Sequence, residues 1–116
     1  MHEGAIVHSL FEIAKEIKDK EKLVEIKEVK IIVGKFHQIV EEVMMMHFDL
    51  MKTEYEGFAD AKLIMKEIDV RIKCRNCGEE TILNEPIFFC EKCESFDTEL
   101  ITGKELHIET IEGMRD

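Results

Sequence analysis

Two copies of the pattern C-x2-C, CRNC at residues 74–77 and CEKC at residues 90–93, contain all four cysteines of this 116-residue chain. A C-x2-C turn can direct both of its sulfur atoms at one ion, and two such turns complete a tetrahedral four-thiolate site, which suits zinc. Gly78 follows the first pair, where the turn favours a residue that tolerates a positive φ. We therefore predict a structural Zn²⁺ site. Its ligands are Cys74, Cys77, Cys90 and Cys93.

The residues alone leave other interpretations of these cysteines open. Two disulfides would need an oxidising compartment, and the N-terminal sequence, which begins Met1-His2-Glu3-Gly4, lacks the basic and apolar regions of a signal peptide. Iron could occupy the same four-sulfur cage. A redox-active C-x-x-C site needs only one pair, so the second pair argues against it. We expect a cytoplasmic protein with zinc in the cage.

The charge composition limits the classes of partner. The chain has 26 acidic and 16 basic side chains, which gives a formal net charge of −10. A zinc ribbon that binds nucleic acid needs a basic face to neutralise phosphates, and the segment around the cysteines is rich in glutamate. No apolar run approaches the length that spans a membrane. We therefore expect neither nucleic-acid nor membrane binding, and a surface suited to metal ions and basic proteins.

The spacing of apolar residues predicts an α+β fold. Helical periodicity covers residues 2–20 and 39–52. Alternation of apolar and polar residues predicts strands over residues 23–33, 61–72 and 105–112. These elements form a three-stranded sheet with two helices, and a zinc-ribbon-like module held by the four cysteines is inserted between the last two strands.

This organisation predicts two domains, and the helical periodicity predicts which face of each helix is buried. The α/β domain is discontinuous and comprises residues 1–72 and 104–116, while the zinc-binding domain comprises residues 73–103. Within the zinc-binding domain, residues 87–89 read as a short strand that leads to the third cysteine. The stripe of the first helix comprises Ile6, Leu10, Ile13, Ala14 and Ile17. That of the second comprises Val40, Val43, Met44, His47, Phe48 and Met51.

A second metal site is predicted at Met1-His2-Glu3, because a closed four-cysteine site has no open coordination position and so does not explain activity. The α-amine, the deprotonated amide nitrogen of His2 and its imidazole can form fused chelate rings, and the amide of Glu3 can add a fourth nitrogen in the same plane. Four in-plane nitrogens suit Ni(II), with Cu(II) as a competitor. From the residues alone, a histidine at position 2 is far more often an ordinary helix-start residue than a metal ligand.

Several motifs together resemble the HypA family of nickel metallochaperones for NiFe hydrogenase maturation. They are Met1-His2-Glu3, the strand end Val33-Gly34, the two C-x2-C pairs and Gly103-Lys104-Glu105-Leu106-His107-Ile108, in this order and at these spacings. The resemblance covers essentially the whole chain. It implies nickel ligands from Met1, His2 and Glu3, and zinc ligands from the four cysteines.

The chain departs from the family pattern at two places. Glu91 stands where the second pair often reads Cys-Pro-x-Cys. After Gly34, His37 and then Glu41-Glu42 stand where the family often has Ser and Pro-Glu. Neither departure touches a predicted ligand, so both concern local geometry, such as the start of the second helix.

The resemblance implies a function that is not enzymatic. The protein would bind one Ni(II) and deliver it to the precursor of the hydrogenase large subunit, in cooperation with a HypB-type nickel-binding GTPase. Some relatives also supply urease. We expect a monomer or weak homodimer. The rival classes are a zinc-ribbon adaptor that binds proteins without a nickel role, and an electron carrier with iron in the cysteine cage.

The remaining histidines and the methionine run receive structural interpretations. Met44-Met45-Met46-His47 could suggest a soft-metal site, but Met44 and His47 fall on the predicted helix stripe, which favours packing over metal binding. His8 is expected to be solvated. His37 and His107 each lack neighbouring ligands in the sequence, so we assign them structural roles.

Overall fold

The computed structural model of the protein describes residues 3–84 and 88–116. Within these residues there are two α-helices and six strands. The helices are α1 (Glu3–Lys20) and α2 (Glu41–Met51). The strands are β1 (Leu23–Gly34), β2 (Lys62–Ile68), β3 (Val70–Cys74), β4 (Glu80–Leu83), β5 (Thr98–Thr102) and β6 (Leu106–Arg115). Short 3-10 helices, Lys35–His37 and Lys52–Glu54, follow β1 and α2.

The strands form two three-stranded sheets, with the orders β2-β1-β6 and β4-β3-β5. Two helices with small sheets confirm the predicted α+β class. Among the described residues, no helix is both long and apolar enough to cross a membrane.

The chain divides into two compact units. The helical unit comprises Met1–Ile32, Ile39–Lys66 and His107–Asp116. The cysteine unit comprises Val33–Gln38 and Glu67–Leu106. The division predicted from the sequence has its boundaries near residues 72 and 104 and refers to domains that fold independently. That division stays a prediction.

Helix α1 buries one face, and that face differs from the predicted stripe. Val7, Leu10, Phe11 and Ala14 are buried, whereas Ile13 is 48% exposed, so its assignment to the stripe was wrong. The side chains at 7, 11 and 14 follow helical spacing as well as those at 6, 10 and 13 do. The aromatic ring at position 11 decides between the two faces, because it has the larger apolar surface to remove from water.

Phe11 is the centre of the aromatic core of the helical unit. Its ring stacks on Phe48 of α2 at a centroid distance of 4.8 Å and on Tyr55 at 4.6 Å. Phe58 meets the same ring edge-on at 5.5 Å. Met44 and Phe48 are buried as predicted. Val40 is 48% exposed, contrary to the prediction, because it is the extended N-cap residue that precedes α2.

The predicted strand over residues 61–72 is in fact two strands in different sheets. Strand β2 ends at Ile68 and β3 begins at Val70, and the chain enters the cysteine unit at Glu67, near the end of β2. The pairing explains the division, because β3 is antiparallel to both β4 and β5, with Ile72 opposite Thr81 and Leu100. Strands β4 and β5 were not predicted. Of the predicted strand at 87–89, residue 87 lies outside the described residues and the other two are in no strand.

The cysteine unit has a small apolar core of Val70, Ile72 and Leu83. Three half-buried side chains pack against it, those of Phe36, Phe88 and Leu100. A close backbone approach lies beside this core, since a Cβ on Gly34 would meet the carbonyl group of Gly103. The Phe36 N–H donates to that Gly103 carbonyl at 3.0 Å.

The Gly103-Lys104-Glu105 run therefore has a local structural role in this unit. Gly103 has a φ of +119° and packs against Val70, where a Cβ would come within 2.8 Å of the Val70 Cα. The Gly103 N–H donates to the carboxylate of Glu105 at 2.8 Å. The ammonium of Lys104 lies 5.0 Å from the centre of the Phe36 ring. These contacts fold the turn before β6 onto residues 34–36.

Replacing the central aromatic residue should destabilise the helical unit strongly. Phe11→Ala removes a 1%-exposed ring with three aromatic neighbours and should lower the free energy of unfolding by about 3–5 kcal/mol. Leu50→Ala is the matched control, since Leu50 is 67% exposed on α2, and it should change that free energy by no more than about 0.5 kcal/mol. Urea denaturation followed by helical circular dichroism measures both. Equal effects of the two substitutions would contradict this description of the core.

Candidate metal centre

The structure brings the four cysteines together in one cluster. Their sulfur atoms all lie within 4.8 Å of one another. The Sγ atoms of Cys74 and Cys93 are 3.5 Å apart, and those of Cys77 and Cys90 are 3.6 Å apart. A tetrahedral ion with Zn–S bonds of about 2.3 Å separates its sulfur ligands by about 3.8 Å, so these distances fit a four-thiolate zinc site. All four cysteines are free thiols.

The two C-x2-C turns share one backbone design. In the first, the Gly78 N–H donates to the carbonyl oxygen of Cys74 at 2.8 Å. In the second, the Glu94 N–H donates to that of Cys90 at the same distance. Gly78 has a φ of +79°, which confirms the prediction, and Glu94 at the equivalent position has a φ of +60°. Residue type does not predict a positive φ at Glu94, although Glu94 lies four residues after the first cysteine of its pair, as Gly78 does.

The first cysteine of each pair is buried and the second is exposed. Cys74 and Cys90 are each 1% exposed. Cys74 ends β3, and its N–H donates to the Glu79 carbonyl at 2.9 Å. The Cys90 N–H donates to the Ser95 carbonyl, also at 2.9 Å. The backbone therefore aims each buried sulfur inward, while Cys77 and Cys93 close the cluster from the solvent side.

The environment of the thiols favours replacement of their protons by a cation. The Ser95 N–H and the Asn76 amide, whose nitrogen is 3.6 Å from Sγ, lower the pKa of Cys93 to about 6. The Glu79 N–H acts to lower the pKa of Cys77, but burial and hydrogen bonds with the other three sulfurs raise it to about 12. Unlike pKa values in one cluster mean that neighbouring sulfurs share the remaining protons. A divalent cation relieves this competition because it binds all four as thiolates.

Of the predicted nickel ligands, the structure describes only Glu3, since Met1 and His2 lie outside the described residues. Glu3 is the first residue of α1, so its N–H belongs to the first turn, whose amides have no acceptor within the helix. Its carboxylate accepts a hydrogen bond from the Val40 N–H at 3.2 Å. That bond, then the N–H of Glu3 itself and, more weakly, His47, lowers the pKa of the Glu3 carboxyl.

The Glu3 carboxylate caps the N-terminus of α2, although it belongs to a different helix, α1. Val40 is the N-cap residue of α2 and provides no side-chain cap. In a capping box, a glutamate of the same helix reaches back to the N-cap N–H; here Glu3 of α1 supplies that contact across 37 residues. Nothing in the sequence around either residue predicts this pairing, because it depends on how the two helices pack.

The other histidines take positions that agree with structural roles. His8 is exposed, as predicted, and its Nδ1 lies 3.4 Å from the Tyr55 hydroxyl. The Nε2 of His37 lies 2.9 Å from the carbonyl oxygen of Lys104. His107 is exposed on β6. His47 is half-buried, and its ring lies against Gly4.

These features define a class, that of small α+β proteins in which a four-cysteine metal module accompanies a helical unit. The family model described as "Hydrogenase/urease nickel incorporation, metallochaperone, hypA" matches residues 1–113. The chain therefore belongs to the HypA family, whose members are metallochaperones and not enzymes.

Individual relatives agree with this assignment. The chain is 31% identical to hydrogenase maturation factor HypA of Campylobacter jejuni, over 93% of this chain and 95% of that protein. It is 33% identical to the protein of the same name from Moorella thermoacetica, over 97% and 99%. Its fold matches the solution structure of the Ni metallochaperone HypA from Helicobacter pylori with a TM-score of 0.71, at 24% identity over the full length of both chains.

Removal of the metal should unfold the cysteine unit and spare the helical unit. The small apolar core of the cysteine unit provides little folding free energy, so a metal bound at the four cysteines would supply much of it. Chelation should expose the Gly78 and Glu94 amides to rapid hydrogen exchange, while amides in the middle of α1 keep their protection. Readdition of Zn²⁺ should restore the slow exchange. Loss of protection in α1 together with the turns would contradict this separation.

The Glu3 contact should contribute stability that depends on pH. The pKa of Glu3 is lowered from its ordinary value of 4.5, so its contribution is present above that value and is lost as pH falls through the lowered pKa. In nickel-free protein, Glu3→Gln should lower the melting temperature of the helical signal at pH 7, and the difference from the unsubstituted protein should shrink at acid pH. Glu16→Gln, on the exposed face of α1, is the control. A difference for Glu3→Gln that does not vary with pH would contradict the proposed contact.

Proposed function

We propose that this chain binds one Ni(II) ion at Met1-His2-Glu3, keeps Zn²⁺ at its four cysteines, and delivers the nickel for maturation of NiFe hydrogenase. The observation that carries the proposal is the family match over residues 1–113. That match includes both the N-terminal residues and the cysteine pairs. Relatives that cover this chain almost end to end are named hydrogenase maturation factors.

The charges at the start of α1 support nitrogen ligation. A helix N-terminus carries a partial positive charge, which by itself disfavours a cation. Ligation through the amide nitrogens of His2 and Glu3 removes two protons, so the two negative charges offset those of Ni(II). The chelate is then neutral and the helix dipole costs it little. The Glu3 amide can take part without breaking a helical hydrogen bond, because it lies in the first turn.

The zinc site has a structural role in this proposal. Zinc held by four thiolates has no open position for a substrate, so it stabilises fold and does not exchange during delivery. Cys74, Cys77, Cys90 and Cys93 would hold the ion, and the two backbone turns already direct their sulfurs to one point. The two sites differ in ligand type, nitrogen for nickel and sulfur for zinc, and this difference directs each metal to its own site.

Delivery requires a ligand set that can be taken apart stepwise. We propose that thiolates of the hydrogenase large-subunit precursor replace the nitrogen ligands one at a time, and that a HypB-type nickel-binding GTPase cooperates in the transfer. The family description also includes urease as a destination. The protein would act in the cytoplasm as a monomer or weak homodimer. Its net charge of −10 suits basic protein partners.

Extending the N-terminus should abolish nickel binding and leave zinc in place. A few residues added before Met1 convert the α-amine into an amide and remove one end of the chelate. Isothermal titration of zinc-loaded protein with Ni(II) should show one tight site in the native form and none in the extended form. His2→Ala should have the same effect, and metal analysis should find one zinc in every form.

The controls separate this site from other nickel sites. His8→Ala, on the same helix, should bind nickel like the native protein. Affinity should also fall as pH drops below about 6.5, because protons then compete for imidazole and amine nitrogens. Equal binding by the native and extended forms would move the nickel site elsewhere. No nickel binding by either form would favour a zinc-ribbon adaptor.

A further inference from the structure

His47 of α2 lies against the first turn of α1. A Cβ built on Gly4 would be 3.2 Å from Cε1 of His47 and 3.4 Å from its Nδ1. The ring therefore occupies the space that a side chain at position 4 would fill. Because position 4 is glycine, the imidazole can approach the backbone of α1 closely, one residue after Glu3.

A second contact fixes the same pair of helices. The Val40 N–H donates to the Glu3 carboxylate at 3.2 Å. Val40 and His47 are seven residues apart, so they lie about two turns apart on nearly the same face of α2. That face consequently meets α1 at two successive residues, Glu3 and Gly4. The position of the His47 ring is thus determined by packing and by a hydrogen bond.

The ring is available for a further interaction. His8 and His37 each have a ring nitrogen within hydrogen-bonding distance of a polar partner, the Tyr55 hydroxyl and the Lys104 carbonyl. For His47, no such partner is found among residues 3–84 and 88–116. The ring is half-buried, so less conformational freedom remains to be lost when it binds a ligand.

We infer that His47 is a further nickel ligand, in addition to the nitrogen ligands proposed for Met1-His2-Glu3. The inference rests on the proposed nickel site. Gly4 directly follows Glu3, so the His47 ring that packs against Gly4 lies beside the residue whose amide nitrogen is proposed to hold the ion. A neutral imidazole nitrogen is a suitable donor for nickel.

This assignment gives nickel a ligand from the body of the fold. The other ligands come from the first three residues, whereas His47 lies in the second turn of α2. A fifth nitrogen ligand would convert a four-coordinate diamagnetic Ni(II) centre into a five-coordinate paramagnetic one. Nickel bound in this way would be tied to α2 until His47 dissociates, so release to an acceptor would require that step as well.

The test compares His47→Gln with His8→Gln in zinc-loaded protein that has its native N-terminus. Glutamine keeps a polar side chain of similar length and removes the imidazole. We expect nickel affinity to fall about tenfold or more in His47→Gln and to stay unchanged in His8→Gln. In proton NMR spectra, the native protein with nickel should show paramagnetically shifted imidazole signals from two histidines, and His47→Gln should show none.

A measurement on the native sequence keeps the test decisive if His47→Gln alters the fold. Ring nitrogen resonances of His47 should shift or broaden on addition of one equivalent of Ni(II), before those of His37. Unshifted His47 resonances, or native affinity in folded His47→Gln, would overturn the inference. If nickel binding is nevertheless lost on N-terminal extension, the proposed function stands without His47. If extension has no effect, the proposed function itself fails.

Discussion

Four sulfur atoms within 4.8 Å of one another connect the two turns on which the cysteine unit depends. Among the residues that the structure describes, the buried apolar cluster of this unit contains Val70, Ile72 and Leu83, which is too few to offset the entropy of ordering the chain around them. A metal held by the four thiolates would supply the missing free energy. The sheet of β3, β4 and β5 then needs little apolar packing to be stable, which agrees with the short lengths of these strands.

The helical unit is stabilised by different means. The stack of Phe11 on Phe48 and Tyr55 fixes the two helices against the end of the short 3-10 helix that follows α2. Packing at this point brings Glu3 to the N-terminus of α2 and His47 to Gly4. Glu3 and Gly4, the described residues next to the proposed nickel site, thereby contact α2 and its N-cap residue. A carrier must hold its metal during transport and surrender it afterwards.

The sequence predicted what depends on local pattern and missed what depends on packing. The C-x2-C spacing predicted the cysteine cluster, and the 3.6-residue period predicted both helices, but the exposed Ile13 shows that periodicity cannot choose between adjacent faces. The alternation over residues 61–72 could not reveal the change of sheet at Asp69, because partner strands are distant in sequence. The positive φ at Glu94 and the Glu3–Val40 contact had no residue-type signal. The contact of His47 with Gly4 also had no local signal, since the two residues are 43 positions apart in the chain.

X-ray absorption of a single sample loaded with both metals tests the central claim, that nickel and zinc occupy separate sites of different chemistry. At the zinc edge, the account predicts four sulfur neighbours at about 2.3 Å. At the nickel edge, it predicts a shell of nitrogen and oxygen atoms with the outer-shell pattern of imidazole and no sulfur. Sulfur around nickel would place the cargo in the cysteine cluster and contradict the account.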